Sequence, residues 1–264
     1  MATVLDPYAL TTLEKANYYL GLTADGGAVD TYVERLINQA SDMIEEALLR
    51  KLMVRVYTKE RYTGKGQETL YFKQYPVLAV NLDELVWDAV AKTVTRSDSG
   101  GSFVKDGFAD GNEVMVQNSD LNSGLLTISG VVTAFVITFD EVIVADLSDD
   151  NVIISHFRSL WINDSEVAAD DYEVNENHIY YRGGFSVGHE NVRMSYYAGY
   201  YGEQRHLPYD IEAKCWELIK AAYDKEKDVK SEKIGPYSIT FFDNKAKIME
   251  MIRNDLSTYI NVVI

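Results

Sequence analysis

Residues 191–214 change abruptly from the pattern of a strand to the pattern of a helix. In residues 191–196 polar and apolar side chains alternate, which is the period of a half-buried strand. Residues 198–200 (AGY) then interrupt that pattern, and Pro208 and Asp210 suit a first helical turn, because proline lacks an amide hydrogen and a carboxylate favours the positive end of the helix dipole. A strand therefore passes into a helix here, which favours a mixed α+β fold.

A strand ending in YxAGY (196–200) followed by LPxDIxxA (207–213) resembles the head-tail connector (adaptor or head-completion) proteins of tailed bacteriophages, and so does YPV at 75–77. The resemblance implies a structural virion protein, not an enzyme. Copies would form a homo-oligomeric ring of about a dozen subunits below the portal protein. The ring would extend the DNA channel and join the head to a tail or stopper protein.

The charge and cysteine content narrow the possible partners. A net charge of −16 opposes binding to DNA phosphates, so we expect DNA to pass through such a channel without specific binding. Solubility alone is another reading of the same charge. The single cysteine, Cys215, excludes an internal disulfide and a cysteine-rich zinc site, and its helical spacing predicts a buried apolar role.

The first residues, MATVLDPYALTT, contain neither a basic region nor an apolar run, so no signal peptide is expected. No segment has the roughly 20 apolar residues that span a bilayer, so no membrane partner is expected. These observations predict a host-cytoplasmic protein during assembly, and the resemblance places it afterwards in the virion neck.

Apolar periodicity predicts four helices, at residues 9–22, 29–51, 208–227 and 245–263. The second is the strongest, because its apolar residues recur at steps of three and four while charged residues fill the other face. Thr11 or Thr12 is expected to cap the first helix.

Strand patterns flank the helices. The segments 55–58 and 69–72 surround Thr-Gly-Lys-Gly, which predicts a β-hairpin, since the phosphate-loop pattern is absent. A small antiparallel sheet is expected from 54–94 together with 156–200.

Residues 95–155 are turn-rich and poor in helix formers, and they carry ten acidic and two basic side chains. This composition predicts an inserted all-β module, leaving 1–94 and 156–264 as the connector core, in which helices form a bundle layer beside the sheet. The segment also resembles small β-domains of phage virion proteins. That resemblance covers Phe103, Asp106, Gly107, Phe108, Gly111, Val114, Asn122 and Gly124.

No catalytic, cofactor-binding or metal-binding residue is predicted. The four histidines are not spaced as metal ligands, and no nucleophile motif occurs. Asp170 and Asp171 are adjacent, so on an extended segment they point to opposite faces and cannot form an acid dyad.

Two groups of residues are predicted to take part in assembly. Tyr197, Tyr200 and Tyr201 lie at the end of the sheet and are candidate interface residues, because tyrosine is favoured in protein contacts. The apolar C-terminal residues are candidates for docking onto a neighbouring subunit or the portal: Tyr259, Ile260, Val262, Val263 and Ile264. Packing within the chain's own core is the alternative for both groups.

Two other functions stay open. The chain could be a tail or baseplate protein whose β-module binds a partner or a glycan. It could also be an enzyme with an unrecognised site, although no nucleophile and base are paired in the sequence.

Overall fold

The computed structural model describes residues 4–24, 26–98, 101–200, 207–229 and 245–260. The fold is mixed α+β, with helices and small antiparallel sheets. The chain forms two compact units: residues 1–53 with 206–264 make a helical unit, and residues 54–205 make a β unit. No helix in the described ranges is long and apolar enough to cross a membrane.

The helical unit contains the four helices that periodicity predicts. They are α1 (Leu13–Leu20), α2 (Ala28–Leu48), α3 (Tyr209–Val229) and α4 (Lys245–Asp255). Thr12 caps α1 by accepting a hydrogen bond from the amide of Lys15 at 3.3 Å. The last predicted helix is shorter than expected, because α4 ends at Asp255 and a 3-10 turn follows at Ser257–Tyr259.

Helix α2 is the centre of this unit, since α1, α3 and α4 all contact it. Its apolar stripe is buried, including Val33, Ile37 and Ile44 with no exposed surface. Ile252 and Leu256 are buried and form the inner face of the C-terminal segment. Packing of one apolar face, more than intrinsic propensity, stabilises helices of this length.

The β unit contains short strands, all paired antiparallel. In chain order they are β1 (Arg55–Gly64), β2 (Thr69–Tyr71), β3 (Ala79–Leu82), β4 (Leu85–Asp88), β5 (Thr93–Thr95), β6 (Glu113–Gln117), β7 (Gly124–Thr127), β8 (Val136–Thr138), β9 (Asp146–Asp149), β10 (Val152–Ser155), β11 (Phe157–Ile162), β12 (Ser165–Glu166), β13 (Tyr172–Val174), β14 (His178–Tyr181) and β15 (Gly188–Ala198). The sheet orders are β1-β15-β11-β12, β3-β10-β6-β7, β13-β14-β2 and β8-β5-β4-β9.

The predicted hairpin between the first two strands is wrong. β1 pairs with the distant β15, and β2 pairs with β14. The Thr-Gly-Lys-Gly segment does separate two strands, but a turn by itself does not determine which strands pair. β15 has eleven residues and offers β1 a ladder that the three-residue β2 cannot match.

The sheet predicted from 54–94 and 156–200 also differs from the observed one. β3 pairs with β10, and β4 pairs with β5 and β9, so these strands join sheets built from residues of the predicted insert. The sheets therefore run across residue 95. The separate domain at 95–155 stays a prediction, and the strands that pair with that segment begin with β3 at Ala79.

Two apolar cores fill the β unit. The module core comprises Leu78, Leu82, Leu85, Trp87, Val94, Phe103, Phe108, Val114, Val116, Leu126, Ile128, Ile137, Phe139, Ile143, Val152 and Ile154. The tyrosine core comprises Tyr62, Phe72, Val77, Met115, Phe157, Leu160, Tyr172, Val174, Ile179, Phe185, Val192, Met194, Tyr196 and Ala198.

Strand β6 belongs to both cores. Val114 and Val116 point into the module core, and Met115 between them points into the tyrosine core. The buried amide of Gln117 donates to the carbonyl oxygens of Ala169, at 2.6 Å, and Tyr172. The two cores are therefore linked by one strand that is buried on both faces.

Candidate assembly surfaces

The AGY motif forms the exit of β15. Ala198 is buried and pairs with Arg55, and Gly199 has φ of 124°, a conformation that residues with a β-carbon rarely adopt. The Gly199 amide donates to Pro76 O at 2.9 Å, and Tyr200 O accepts from the Val54 amide at 3.1 Å. The motif thus ends β15 in a fixed backbone conformation held by two backbone hydrogen bonds.

Tyr196 and Tyr197 have opposite environments, because neighbouring side chains of a strand alternate. Tyr196 has no exposed surface, and its hydroxyl donates to Glu60 Oε2 at 2.5 Å and lies 2.8 Å from the Tyr62 hydroxyl. Tyr197 is half-buried and lies 5.7 Å from the His156 ring and 5.9 Å from the Arg158 guanidinium. Of the two tyrosines, only Tyr197 therefore has exposed surface that a partner could contact.

The pair Tyr62 and Tyr196 stays protonated over a wide pH range. Burial raises the pKa of Tyr196 above its ordinary value, and neighbouring Tyr62 and Glu60 raise it further. Burial likewise raises the pKa of Tyr62, with Glu60 adding to the effect. Two neutral phenols and one carboxylate form a structural clamp, and nothing in this geometry prepares a phenolate for chemistry.

A pocket of about 310 Å³ opens beside the strand exit. It is lined by Tyr75, Pro76, Glu176, Asn177 and Tyr200. A backbone hydrogen bond holds the turn that carries Glu176, since Glu176 O accepts from the Val77 amide at 2.7 Å. Tyr200 is thus half-buried at a concave surface, whereas Tyr201 lies outside the described residues.

The C-terminal candidates are described only in part. Tyr259 and Ile260 are half-buried, and the Tyr259 hydroxyl donates to Asp210 Oδ1 at 3.0 Å. Val262, Val263 and Ile264 lie outside the described residues. Because Ile252 and Leu256 already fill the inner face of this segment, Tyr259 and Ile260 are peripheral to the core of the helical unit.

Sequence reasoning missed one group of carboxylates. Ligand oxygens of Asp120, Asp146 and Asp149 all lie within 4.8 Å of one another, the one such group found in the described part of the chain. Asp149 is 2% exposed and accepts from Trp87 Nε1 at 2.9 Å and from the Ser119 hydroxyl. Its carboxylate is therefore already used to hold the fold. Asp146 and Asp149 both lie on β9, and Asp120 joins them from the turn after β6, where its amide donates to Asp149 Oδ1 at 3.4 Å.

Cys215 is buried, as its helical spacing predicts. Burial raises the pKa of its thiol to about 12, so the reactive thiolate is scarce at neutral pH. The thiol packs in the core of the helical unit.

Comparisons with known proteins complete the description. No family model and no curated protein matches the sequence. Among solved structures, the chain is similar to a chain in the neck of an empty gene transfer agent particle computed with C6 symmetry, with 14% identity, a TM-score of 0.36, and coverage of 95% of this chain and 92% of that one. It is also similar to a chain in the virion of a native gene transfer agent particle, with 11% identity, a TM-score of 0.30, and coverage of 95% and 93%. TM-scores this low do not identify a family.

Proposed function

We propose that this chain is a structural protein of the neck of a tailed-phage-like virion. Copies assemble as a ring below the portal, extend the DNA channel, and join the head to a tail or stopper protein. The observation that carries the proposal is the junction motif. Its YxAGY part ends β15, and its LPxDI part begins α3. The glycine of the motif is required because Gly199 has φ of 124°.

The motif residues support assembly and no chemical reaction. Gly199, Pro76 and Val54 act through backbone hydrogen bonds, and Ala198 acts through burial. None of these groups can transfer a proton or attack a substrate at neutral pH. A motif made of backbone conformation is suited to giving every copy in a ring the same shape.

The charge suits a channel through which DNA slides. The net charge is −16, and residues 79–155 contribute thirteen acidic and three basic side chains. Carboxylates repel the phosphate backbone, and salt at ~0.15 M reduces this repulsion without reversing it. We therefore expect the free protein not to bind duplex DNA at this salt concentration, as measured by fluorescence anisotropy. A micromolar dissociation constant would contradict the proposal.

The C-terminal residues 259–264 are proposed to dock onto a neighbouring subunit or the portal. Deleting them removes the hydrogen bond from Tyr259 to Asp210 but retains Ile252 and Leu256, so the helical unit should fold. The truncated protein should lose ring formation or attachment to DNA-filled, tailless heads, scored by sedimentation and negative-stain microscopy. Tyr259→Phe is the matched control, because it removes the same hydrogen bond and leaves the apolar end intact.

The possible outcomes separate the explanations. Normal attachment by the truncated chain would contradict the docking role. A large fall in melting temperature would assign the segment to the core instead. Failure of the full-length protein to form rings or to bind tailless heads would contradict the neck function itself.

A tail or baseplate protein is the second candidate, and an exposed apolar surface on the module favours it. Val142 is 85% exposed and Leu121 is 55% exposed, although both belong to a well-packed β structure. Particles lacking the protein would distinguish the two functions. The neck function predicts heads without tails, whereas the second predicts complete particles that fail to adsorb.

A further inference from the structure

Four apolar side chains project from the edge of the module beside β7. We name Leu121, Leu125, Val142 and Val144 the β7 strip; their exposed fractions are 55%, 42%, 85% and 48%. Leu125 points outward because its neighbour Leu126 fills the module core. Val142 and Val144 point outward because Ile143 between them is buried. Alternation on two neighbouring segments therefore places Leu125, Val142 and Val144 on the outer side, and Leu121 is exposed in the turn before β7.

Two hydrogen-bonded clamps hold these segments together. At one end, Asn122 and Val144 exchange two bonds: the Val144 amide donates to Asn122 Oδ1 at 2.7 Å, and Asn122 Nδ2 donates to Val144 O at 2.9 Å. At the other end, Glu141 accepts from the Thr127 amide at 2.8 Å and from its hydroxyl at 2.9 Å. Leu125 and Val142 lie between the clamps, and Leu121 and Val144 lie at the Asn122 clamp, so the four side chains share one ordered surface.

Carboxylates border the strip. Asp120 precedes Leu121, and Asp140 and Glu141 precede Val142. None of these three acids forms an ion pair within the described residues. One base is nearby, since Lys92 Nζ donates to the carbonyl oxygen of Asp140 at 2.5 Å. The surface therefore combines an apolar centre with a mostly acidic margin, the arrangement of an interface with a charged partner.

We propose that the β7 strip is a docking site for a partner protein segment that carries apolar side chains flanked by lysine or arginine. The apolar residues supply burial, and the acidic margin selects a basic partner and disfavours an acidic one. A second copy of this chain fits less well, because a symmetric contact would place Asp120, Asp140 and Glu141 against the same acids. This surface belongs to the β-module, and its role does not depend on the proposed ring.

The test uses the full chain and synthetic peptide probes. The probes are a short labelled peptide of alternating leucine and lysine, one of alternating leucine and glutamate, and one of alternating serine and lysine. Fluorescence anisotropy at ~0.15 M salt should show binding of the leucine-lysine peptide only, since both apolar burial and opposite charge are needed. The double variant Leu125→Ser/Val142→Ser should weaken this binding by about tenfold or more.

Val90→Ser/Val131→Ser is the matched control, because these valines are 97% and 85% exposed on the same module but lie outside the strip. It should bind the peptide as the unchanged protein does. Equal weakening in both double variants, or no binding of the leucine-lysine peptide, would overturn the proposal. Should Leu125→Ser disturb folding, Val142→Ser alone must still weaken binding. Self-association that the strip variant abolishes, measured by analytical ultracentrifugation, would make a second copy the occupant and refute a basic partner.

Discussion

The module core and the tyrosine core lie in one β unit and share β6, yet different interactions specify them. The module core is built from aliphatic side chains, phenylalanine and Trp87. Two buried charges lie beside it: Arg96 pairs with Asp98 and with Asp106 at 2.6 Å, and Asp149 accepts from Trp87 Nε1 at 2.9 Å. The tyrosine core places three phenols, Tyr62, Tyr172 and Tyr196, among its apolar residues.

The difference shows that polar groups inside a core can set strand register. β1 and β15 shift register between Tyr57 and Glu60, where Lys59 has φ of 51°. Glu60 accepts hydrogen bonds from Tyr62 and Tyr196 at this irregularity. An apolar core accepts several registers that keep the same face buried, whereas two phenols sharing one carboxylate accept only one.

Removing the predicted insert should have the largest effect. Replacing residues 95–155 by a glycine-serine linker removes β10, the partner of β3, and β9, one partner of β4, and so exposes Leu82, Leu85 and Trp87. We expect loss of cooperative unfolding and of solubility. Circular dichroism with thermal unfolding, together with the soluble fraction after expression, measures this.

Replacing residues 80–154 is the matched comparison, because Ala79 and Ser155 are register partners and their chain ends are adjacent. This variant should be more soluble than the first, although it removes Met115 from the tyrosine core. Cooperative unfolding of the 95–155 replacement, equal to that of the unchanged protein, would show that the insert is autonomous within its original boundaries.

Tyr196→Phe should be the next largest change. It removes a buried hydroxyl that donates to Glu60 and leaves the half-buried carboxylate with fewer donors, a loss of about 1–3 kcal/mol in the free energy of unfolding. Urea unfolding measures the loss. Tyr197→Phe, on the opposite face of the same strand, should change stability by less than about 0.5 kcal/mol. Equal losses in the two variants would contradict the clamp.

Alkaline pH should weaken the tyrosine core. The pKa of Tyr196 is raised in the folded protein, so the unfolded chain releases this proton first, near pH 10, while the folded chain retains it. Stability is therefore complete below pH 10 and falls as pH rises above it, by about 1.4 kcal/mol per pH unit for each such tyrosine. The fall between pH 10 and 11 should be shallower in Tyr196→Phe than in Tyr197→Phe. Parallel curves would refute this assignment.

Tyr172→Phe should have the smallest effect. The Tyr172 hydroxyl is buried and has no hydrogen-bond partner among the described residues. Removing an unsatisfied buried hydroxyl should leave stability within about 0.5 kcal/mol of the unchanged protein or raise it slightly. A loss as large as that of Tyr196→Phe would show that a partner of this hydroxyl contributes to the fold.

The sequence by itself determined the local structure. Apolar steps of three and four predicted all four helices, Thr12 was a named candidate cap, and Cys215 is buried as its spacing indicates. The change from strand to helix between 191 and 214 is also present, from β15 to α3. These features follow from the spacing of apolar and polar residues a few positions apart, which marks the face of each element that will be buried.

Only the tertiary structure decided the pairing of strands and the environments of individual tyrosines. The alternation in 55–64 is compatible with β2 or β15 as a partner, and the choice of β15 depends on a clamp between Glu60 and Tyr196, which lie far apart in the chain. The same holds for Asp120 and Asp149, which meet because the turn after β6 is hydrogen-bonded to the end of β9. The periodicity of apolar residues in a segment indicates that one face is buried. Which partner covers that face is determined by contacts across the whole unit.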